Sequence, residues 1–169
     1  MAQAGEPKRD RLPRYRKCFV CGDESPSQIA VTFYIVDDTV RVDFTATEAQ
    51  MGFPGIAHGG VLAALLDECM GWAPTLRTGR FCLTAELSVR FVKALPLGVP
   101  VTVITRAEAV GRVYTATGEI VDADGTLYAR GSGKYLPMSA EHTREVAELL
   151  DYDEHTVDAS SWLSGEQGH

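Results

Sequence analysis

Residues 59–76 constrain this chain most, because nearly every residue in this run is apolar or small. On a helical wheel the apolar side chains point in almost every direction, which is typical of a helix buried on all sides. The helix is expected to end near Gly79, with Pro74 kinking or fraying its last turn. Asp67 lies in the middle, where an ionisable side chain is costly unless it is paired, hydrogen-bonded or used in chemistry. The sequence therefore predicts a long central helix that carries a buried carboxylate.

His58, Gly59 and Gly60 form the start of this helix. The two glycines leave backbone N–H groups sterically open at a helix N-terminus, where negative charge is favoured. Together with Asp67, this open terminus indicates acyl chemistry at an electrophilic carbonyl. Each feature also has a simpler interpretation: Asp67 as a solvated or salt-bridged residue, His58 as a helix cap, and the glycine pair as a tight turn.

The rest of the chain predicts an α+β fold, with strands before and after the long helix. An Asp124-Gly125 turn joins the last two strands, and a capped surface helix over 139–150 follows them. In the strand 83–91 strict alternation puts the apolar residues on one face and Thr84 and Glu86 on the other. The predicted strands cover residues 28–36, 40–46, 83–91, 99–105, 112–122 and 126–136, with a short helical turn over 45–51 and a loop over 52–55.

Length and composition predict one globular domain. The chain has 169 residues, of which 45% are hydrophobic and 23% charged, ordinary values for such a domain. No apolar run is long enough for a membrane span and no signal-peptide core is visible, so a cytoplasmic location is the default expectation. The net charge of -7 is uneven, with a basic excess in residues 1–17 and an acidic one in residues 141–169. Without interleaved aromatic residues, the basic segment is interpreted as a flexible, solvated tail rather than a nucleic-acid contact.

Four cysteines do not form the framework of a secreted disulfide-rich protein. Cys18-x-x-Cys21 is half of a zinc-site pattern, but no second Cys/His pair follows at a suitable spacing. It also lacks the thioredoxin-type unit that a redox pair would need. We therefore interpret both cysteines as structural turn residues, and no metal is predicted. A Gly-x-Ser-x-Gly elbow is absent, which argues against an α/β-hydrolase.

Four segments of the chain together resemble the hotdog-fold thioesterases, namely residues 18–22, 51–60, 65–68 and 83–98. Within that family they are most similar to the HGG-motif branch, typified by the acyl-CoA thioesterases of phenylacetate pathways. The resemblance spans about residues 18 to 137. The tripeptide His58-Gly59-Gly60 alone is a common string, but the spacing to Asp67 and the following strand make the match specific.

The resemblance implies roles for three residues. Asp67 corresponds to the nucleophile or general base, the N–H of Gly59 polarises the thioester carbonyl, and the hydroxyl of Thr84 assists. One position departs from the pattern, since many relatives carry Asn or Gln where this chain has Gly52, and this departure puts the positioning of water in doubt. Arg90, Lys93 and Arg112 are candidate contacts to coenzyme A phosphates. The residues expected to bind substrate are His58, Gly60, Gln50, Arg90, Lys93 and Arg112.

The resemblance also implies an antiparallel sheet wrapped around one long central helix. Subunits are expected to join by their sheet edges as a homodimer or dimer of dimers, with the active site between them and acyl-CoA as the partner. No cofactor is expected apart from the coenzyme A of the substrate. We divide the chain into a basic segment 1–17, a hotdog domain 18–137, and a C-terminal helix with an acidic tail 138–169.

Two alternatives to an acyl-CoA thioesterase stay open. A non-catalytic acyl-CoA-binding protein would keep the same fold without turnover, and Gly52 is the residue that favours it. A hotdog dehydratase or hydratase would use a histidine upstream of the helix. The only histidine near the predicted site is His58, next to the glycines, so this alternative is weaker.

Overall fold

A computed structural model of the chain describes residues 8–159 and residue 163. Seven strands form one antiparallel sheet, and two short strands form a separate hairpin. The helices are α1 (Gly59–Thr78) and α2 (Ala140–Glu148). The strands are β1 (Asp10–Arg11), β2 (Phe33–Val36), β3 (Thr39–Thr45), β4 (Met51–Phe53), β5 (Ile56–Ala57), β6 (Cys82–Phe91), β7 (Pro100–Ala109), β8 (Tyr114–Asp122) and β9 (Leu127–Pro137).

The large sheet has the strand order β1-β2-β3-β7-β8-β9-β6 and packs one face against α1. This architecture confirms the predicted antiparallel sheet around one long helix. Leu66 and Met70 reach close to the sheet because β8 and β9 carry Gly118 and Gly131 beneath them, where an added Cβ would lie 3.1–3.4 Å from their side chains. The residues of the main core cluster with no exposed surface are Leu65, Leu66, Cys69, Met70, Val42, Val103, Ile120 and Ala129.

Both ends of α1 follow from the residues that flank it. His58 caps the N-terminus with its side chain, and Gly79 ends the helix in the left-handed conformation at φ 65°. The predicted end of the helix is therefore confirmed. The helix continues through Pro74, and the hydroxyl of Thr78 donates to the Pro74 carbonyl oxygen at 2.9 Å. None of the described helices is long and apolar enough to cross a membrane.

Strand β6 contains a one-residue bulge that positions the site. Thr84 pairs with Tyr135 and Glu86 with Lys134, so Ala85 has no partner in β9. The extra residue shifts the pleat, and Thr84 faces α1 while Glu86 faces solvent in an ion pair with Lys134. The prediction that Thr84 and Glu86 share a face is therefore wrong, because strict alternation does not hold across a bulge.

The segment before α1 also differs from prediction in two places. Left-handed φ values at Gln28 and Ala30 interrupt the extended backbone, so the strand predicted over 28–36 begins only at Phe33. Of the loop predicted over 52–55, residues 54–55 form the turn of the β4–β5 hairpin, whereas Gly52 and Phe53 belong to strand β4. The short helical turn predicted over 45–51 is confirmed as a 3₁₀ turn at Glu48–Gln50.

The two terminal segments dock on each other. Strand β1 pairs with β2, Leu12 is buried, and Arg16 forms a 2.6 Å ion pair with Asp151. Arg11 forms a second ion pair, with Asp153, at 2.8 Å. The predicted solvated tail is therefore wrong for residues 8–17, because the basic segment is paired with the acidic one. Residues 1–7, 160–162 and 164–169 lie outside the described part of the chain.

Candidate active site

Asp67 and Thr84 meet at a cavity of about 300 Å³ between α1 and the end of β6. The Thr84 hydroxyl donates a hydrogen bond to Asp67 Oδ1 at 2.8 Å. Asp67 is partly buried, whereas Thr84 is exposed on the outermost strand of the sheet. The structure thus brings together the two side chains that the sequence assigns to chemistry. Without the bulge at Ala85, Thr84 would face away from the helix.

Tyr135 is a third residue at this carboxylate. Its ring is buried, and its hydroxyl donates to the Asp67 carbonyl oxygen at 3.3 Å and lies 3.5 Å from Oδ1. Burial, and then the charge of Asp67, raise the pKa of Tyr135, so its hydroxyl stays a donor. Sequence reasoning missed Tyr135. The signal was its pairing with Thr84 in the neighbouring strand, which only the register reveals.

The helix N-terminus leaves one N–H group open. The N–H of Gly60 donates to His58 Nδ1 at 2.9 Å, so this ring nitrogen carries no hydrogen, and His58 acts as the cap foreseen as its simpler interpretation. The backbone N–H of His58 donates to the Gln50 carbonyl oxygen at 2.8 Å. Within the described residues the N–H of Gly59 has no acceptor. Gly59 rather than Gly60 is therefore the available donor.

Gly52 is explained by close packing rather than by chemistry. A Cβ at this position would lie 3.0 Å from His58 Cα, so the backbone would have to shift to accept a side chain. An amide side chain at this position would therefore require His58 or the hairpin to move by a few tenths of an ångström. Gln50 does not replace that amide. Its buried side chain accepts from the Thr47 N–H at 3.0 Å and donates to the Gln28 carbonyl oxygen at 3.1 Å, which gives it a structural role.

The three predicted contacts to coenzyme A do not come together with Asp67. Arg90 lines a separate cavity of about 640 Å³ on the opposite face of the sheet, with Arg106 and Arg130. Lys93 lies over the Tyr128 ring at 5.6 Å. Arg112 is exposed in the turn between β7 and β8. All three stay predictions.

Cys18, Cys21 and Glu68 form a second polar cluster on the wall of the Asp67 cavity. Cys18 Sγ lies 3.4 Å and Cys21 Sγ 4.0 Å from Glu68 Oε1. Burial, and then the neighbouring Cys18, raise the pKa of Glu68 to about 8. A hydrogen bond from Cys21 lowers the pKa of Cys18 to about 5. Sequence reasoning missed Glu68 as a partner of the cysteines, because it lies far from them in the chain.

Comparisons with known proteins find similarity to thioesterases. Residues 54–129 match the family model of the thioesterase superfamily. The acyl-coenzyme A thioesterase THEM5 of Mus musculus is 32% identical over 92 residues, which are 53% of this chain and 37% of that protein. The acyl-coenzyme A thioesterase THEM4 of Bos taurus is 28% identical over the same shares. This chain thus spans little more than a third of the length of these curated relatives.

Solved structures extend the similarity to the fold. A putative thioesterase of Ralstonia eutropha JMP134, described as related to phenylacetic acid degradation, is 28% identical with a TM-score of 0.55, over 63% of this chain and 83% of that one. The PaaI protein of E. coli has a TM-score of 0.60 at 19% identity, over 64% of this chain and 80% of that one, and shows the fold alone. The chain is thus similar to the thioesterase superfamily over residues 54–129, and its sheet and central helix have the hotdog fold of these structures.

Proposed function

We propose that this protein hydrolyses an acyl-coenzyme A thioester to a free acid and coenzyme A. The observation that carries the proposal is the hydrogen bond from Thr84 to Asp67 at the wall of an apolar cavity, on the helix whose N-terminus leaves the Gly59 N–H open. A held carboxylate and an oxyanion donor are the two groups that acyl transfer requires.

The proposed reaction adds a water oxygen to the thioester carbonyl carbon. Asp67 either attacks this carbon directly, with water then cleaving the acyl-enzyme, or takes a proton from the attacking water. The N–H of Gly59 and the helix dipole stabilise the oxyanion that forms, a contribution of about 3 kcal/mol for one such donor. Collapse of the intermediate breaks the C–S bond, and the coenzyme A thiolate takes up the proton. Thr84 holds the carboxylate in place throughout.

Two subunits are needed in this proposal. Gly59 and Asp67 are eight residues apart on one helix, which corresponds to about 12 Å along the axis. One carbonyl group therefore does not reach both in a single chain. A partner joined at the β6 edge places its Gly59 N–H close to Asp67 of the first subunit, where both groups can reach one thioester carbonyl. The same arrangement occurs twice in the dimer by symmetry.

A panel of acyl-CoA substrates assayed with a free-thiol reagent tests the reaction, with crotonyl-CoA hydration followed in parallel. We expect thiol release from at least one acyl-CoA and no hydration. Hydration without thiol release would identify a hydratase instead. Saturable acyl-CoA binding with no turnover of any panel member would identify the non-catalytic alternative.

Mixing two inactive variants tests the shared site. One variant carries Asp67→Ala and the other Gly59→Val, whose added Cβ meets only the end of the Phe91 ring, at 3.3 Å. Random exchange makes about half of the dimers mixed, and each mixed dimer has one intact site, so about a quarter of the wild-type activity should return. Mixed dimers verified by mass that recover no turnover would mean that each site is built within one chain.

A further inference from the structure

Two cysteines from the N-terminal segment and one carboxylate from α1 converge on a single point. The ligand atoms of Cys18, Cys21 and Glu68 all lie within 4.8 Å of one another. A tetrahedral zinc ion with Zn–S bonds of about 2.3 Å and a Zn–O bond of about 2.0–2.2 Å implies donor separations of about 3.5–3.8 Å. The sulfur-to-oxygen distances of 3.4 Å and 4.0 Å lie close to this range. The cluster therefore has the dimensions of a metal site.

The turn that carries the cysteines is shaped to hold thiolates. Cys18 Sγ accepts the backbone N–H groups of Val20 at 3.4 Å and Cys21 at 3.5 Å, and such bonds stabilise negative charge on sulfur. Gly22 follows directly, and a Cβ there would lie 2.2 Å from the Arg16 carbonyl oxygen. The tight turn thus requires glycine after the second cysteine and aims both sulfurs at one place.

Glu68 lacks the cation that a partly buried carboxylate normally has. It takes part in none of the ion pairs formed within the described ranges, 8–159 and 163. Its hydrogen-bond contacts there are to the two cysteines. An ionised carboxylate is costly to bury without a partner, and a divalent ion at this point would supply the positive charge that such a carboxylate needs.

We propose that Cys18, Cys21 and Glu68 bind one zinc ion, which ties the N-terminal segment to α1 beside Asp67. Two thiolates and one carboxylate are a borderline-soft donor set that favours zinc over magnesium or calcium. On binding, each ligand that carries a proton, thiol or carboxyl, releases it to solvent, and no redox change occurs. All three ligands line the Asp67 cavity, so a water molecule completes the tetrahedron from that side. This proposal stands independently of the proposed hydrolysis.

Metal content and cobalt substitution test the site on the full chain, purified under reducing conditions. We expect one equivalent of zinc, removable by a chelator with a fall in Tm. Cobalt added to the metal-free protein should give a thiolate-to-cobalt charge-transfer band at one equivalent. Cys18→Ser and Cys21→Ser should each lower zinc affinity at least about a hundredfold, because loss of even an outer-shell partner costs 10–100-fold. Glu68→Gln should weaken binding while keeping a thiolate band.

Cys82→Ser is the matched control, since Cys82 lines the same cavity outside the cluster, and it should keep the full band. The cobalt titration of the wild-type chain does not depend on whether any variant folds. Reduced protein that gives no cobalt band overturns the proposal. A band that persists in Cys18→Ser, or a Cys18–Cys21 disulfide whose reduction brings no metal uptake, overturns it as well.

Discussion

The two edges of the seven-stranded sheet are built in opposite ways. At one edge, β1 has only two residues, and residues 151–157 lie beside it through a bridge between Arg11 and Thr156. At the other edge, β6 has ten residues and no neighbouring strand beyond it among residues 8–159. Leu83 and Phe91 on this strand are 60% and 53% exposed. One edge is closed by the chain itself, whereas the other is open for pairing.

The open edge is also the edge that carries the candidate chemistry. Thr84 lies on β6, and the Phe91 ring on the same strand lies over Gly59. Any partner that covers this edge therefore also covers the Asp67 cavity and the helix N-terminus. In the proposed dimer, assembly and chemistry are linked at β6, whereas the candidate site residues lie away from the β1 edge.

Asp67→Asn should give the largest effect at the open edge. We expect turnover to fall at least about a hundredfold, a loss of roughly 2.7 kcal/mol, because the amide is neither a nucleophile nor a base. Steady-state kinetics on the best acyl-CoA substrate provide the measurement. The control is Glu86→Gln, an exposed acid on β6 that faces the other way and should keep near-normal turnover. Near-normal turnover in Asp67→Asn would refute the assignment.

Leu83→Lys should break the proposed pairing of two β6 edges. Like charges brought together across an interface cost several kcal/mol, so we expect the dimer dissociation constant to rise at least tenfold, with loss of activity on dilution. Analytical ultracentrifugation over a concentration series measures this constant. Leu149→Lys is the control, because Leu149 is equally exposed, at 62%, but lies at the end of α2 and not on β6. An unchanged dissociation constant would mean that β6 is not the interface.

Thr84→Val should cost about tenfold in kcat with little change in KM, because a hydrogen bond to a charged group contributes about 1.5–3 kcal/mol. The control is Thr117→Val. That threonine also donates to a carboxylate, Glu108, at 2.7 Å, but on the opposite face of the sheet from Asp67. Equal kcat values for wild type and Thr84→Val would reduce Thr84 to an ordinary strand residue.

At the closed edge we expect the thermal stability to depend on pH, and this is the smallest of the four predicted effects. Hydrogen bonds from Arg16 lower the pKa of Asp151, and the Thr156 hydroxyl lowers that of Asp153. A lowered pKa in the folded state adds stability above the unfolded value of 3.8, and this stability is lost as pH falls through the folded value. Asp151→Asn should therefore lower Tm by a few degrees at most at pH 7 and flatten its fall below about pH 4.

Thermal melts over a pH series compare Asp151→Asn with Asp38→Asn, an exposed control in the turn between β2 and β3. If Tm falls with pH in the same way in both variants, the ion pairs of the docked termini do not contribute to the acid sensitivity of the fold. Loss of turnover in Asp151→Asn at neutral pH would contradict the view that the β1 edge affects stability and the β6 edge affects catalysis.

The elements predicted correctly from sequence are those whose signal is local. The bounds of α1 follow from its apolar run and from Gly79, and in β7 the alternation of Val101, Val103 and Thr105 matches their burial. The roles proposed for Asp67 and Thr84 rest on a family resemblance, and the structure adds only that they touch.

The features that sequence missed depend on contacts between distant segments. Tyr135 reaches Asp67 only through the β6–β9 register, and Glu68 meets Cys18 across fifty positions of sequence. The docking of the two terminal segments could not be predicted, because the positions of their opposite charges in space are not given by the sequence. Composition identified those charges but not their pairing.

The unpaired residue Ala85 divides β6 into two parts, so that even-numbered residues face inward before it and odd-numbered residues face inward after it. Upstream of it Thr84 belongs to the site, and downstream Leu87 and Val89 belong to the core. Deletion of this single alanine would place Thr84 directly before Glu86, and regular alternation would then keep the hydroxyl on the same face as its carboxylate. A change that drew Ala85 back into the pairing with β9, by contrast, would turn Thr84 to the solvent face with no residue gained or lost. An alignment of relatives that opens no gap here would compare residues from opposite faces of the strand.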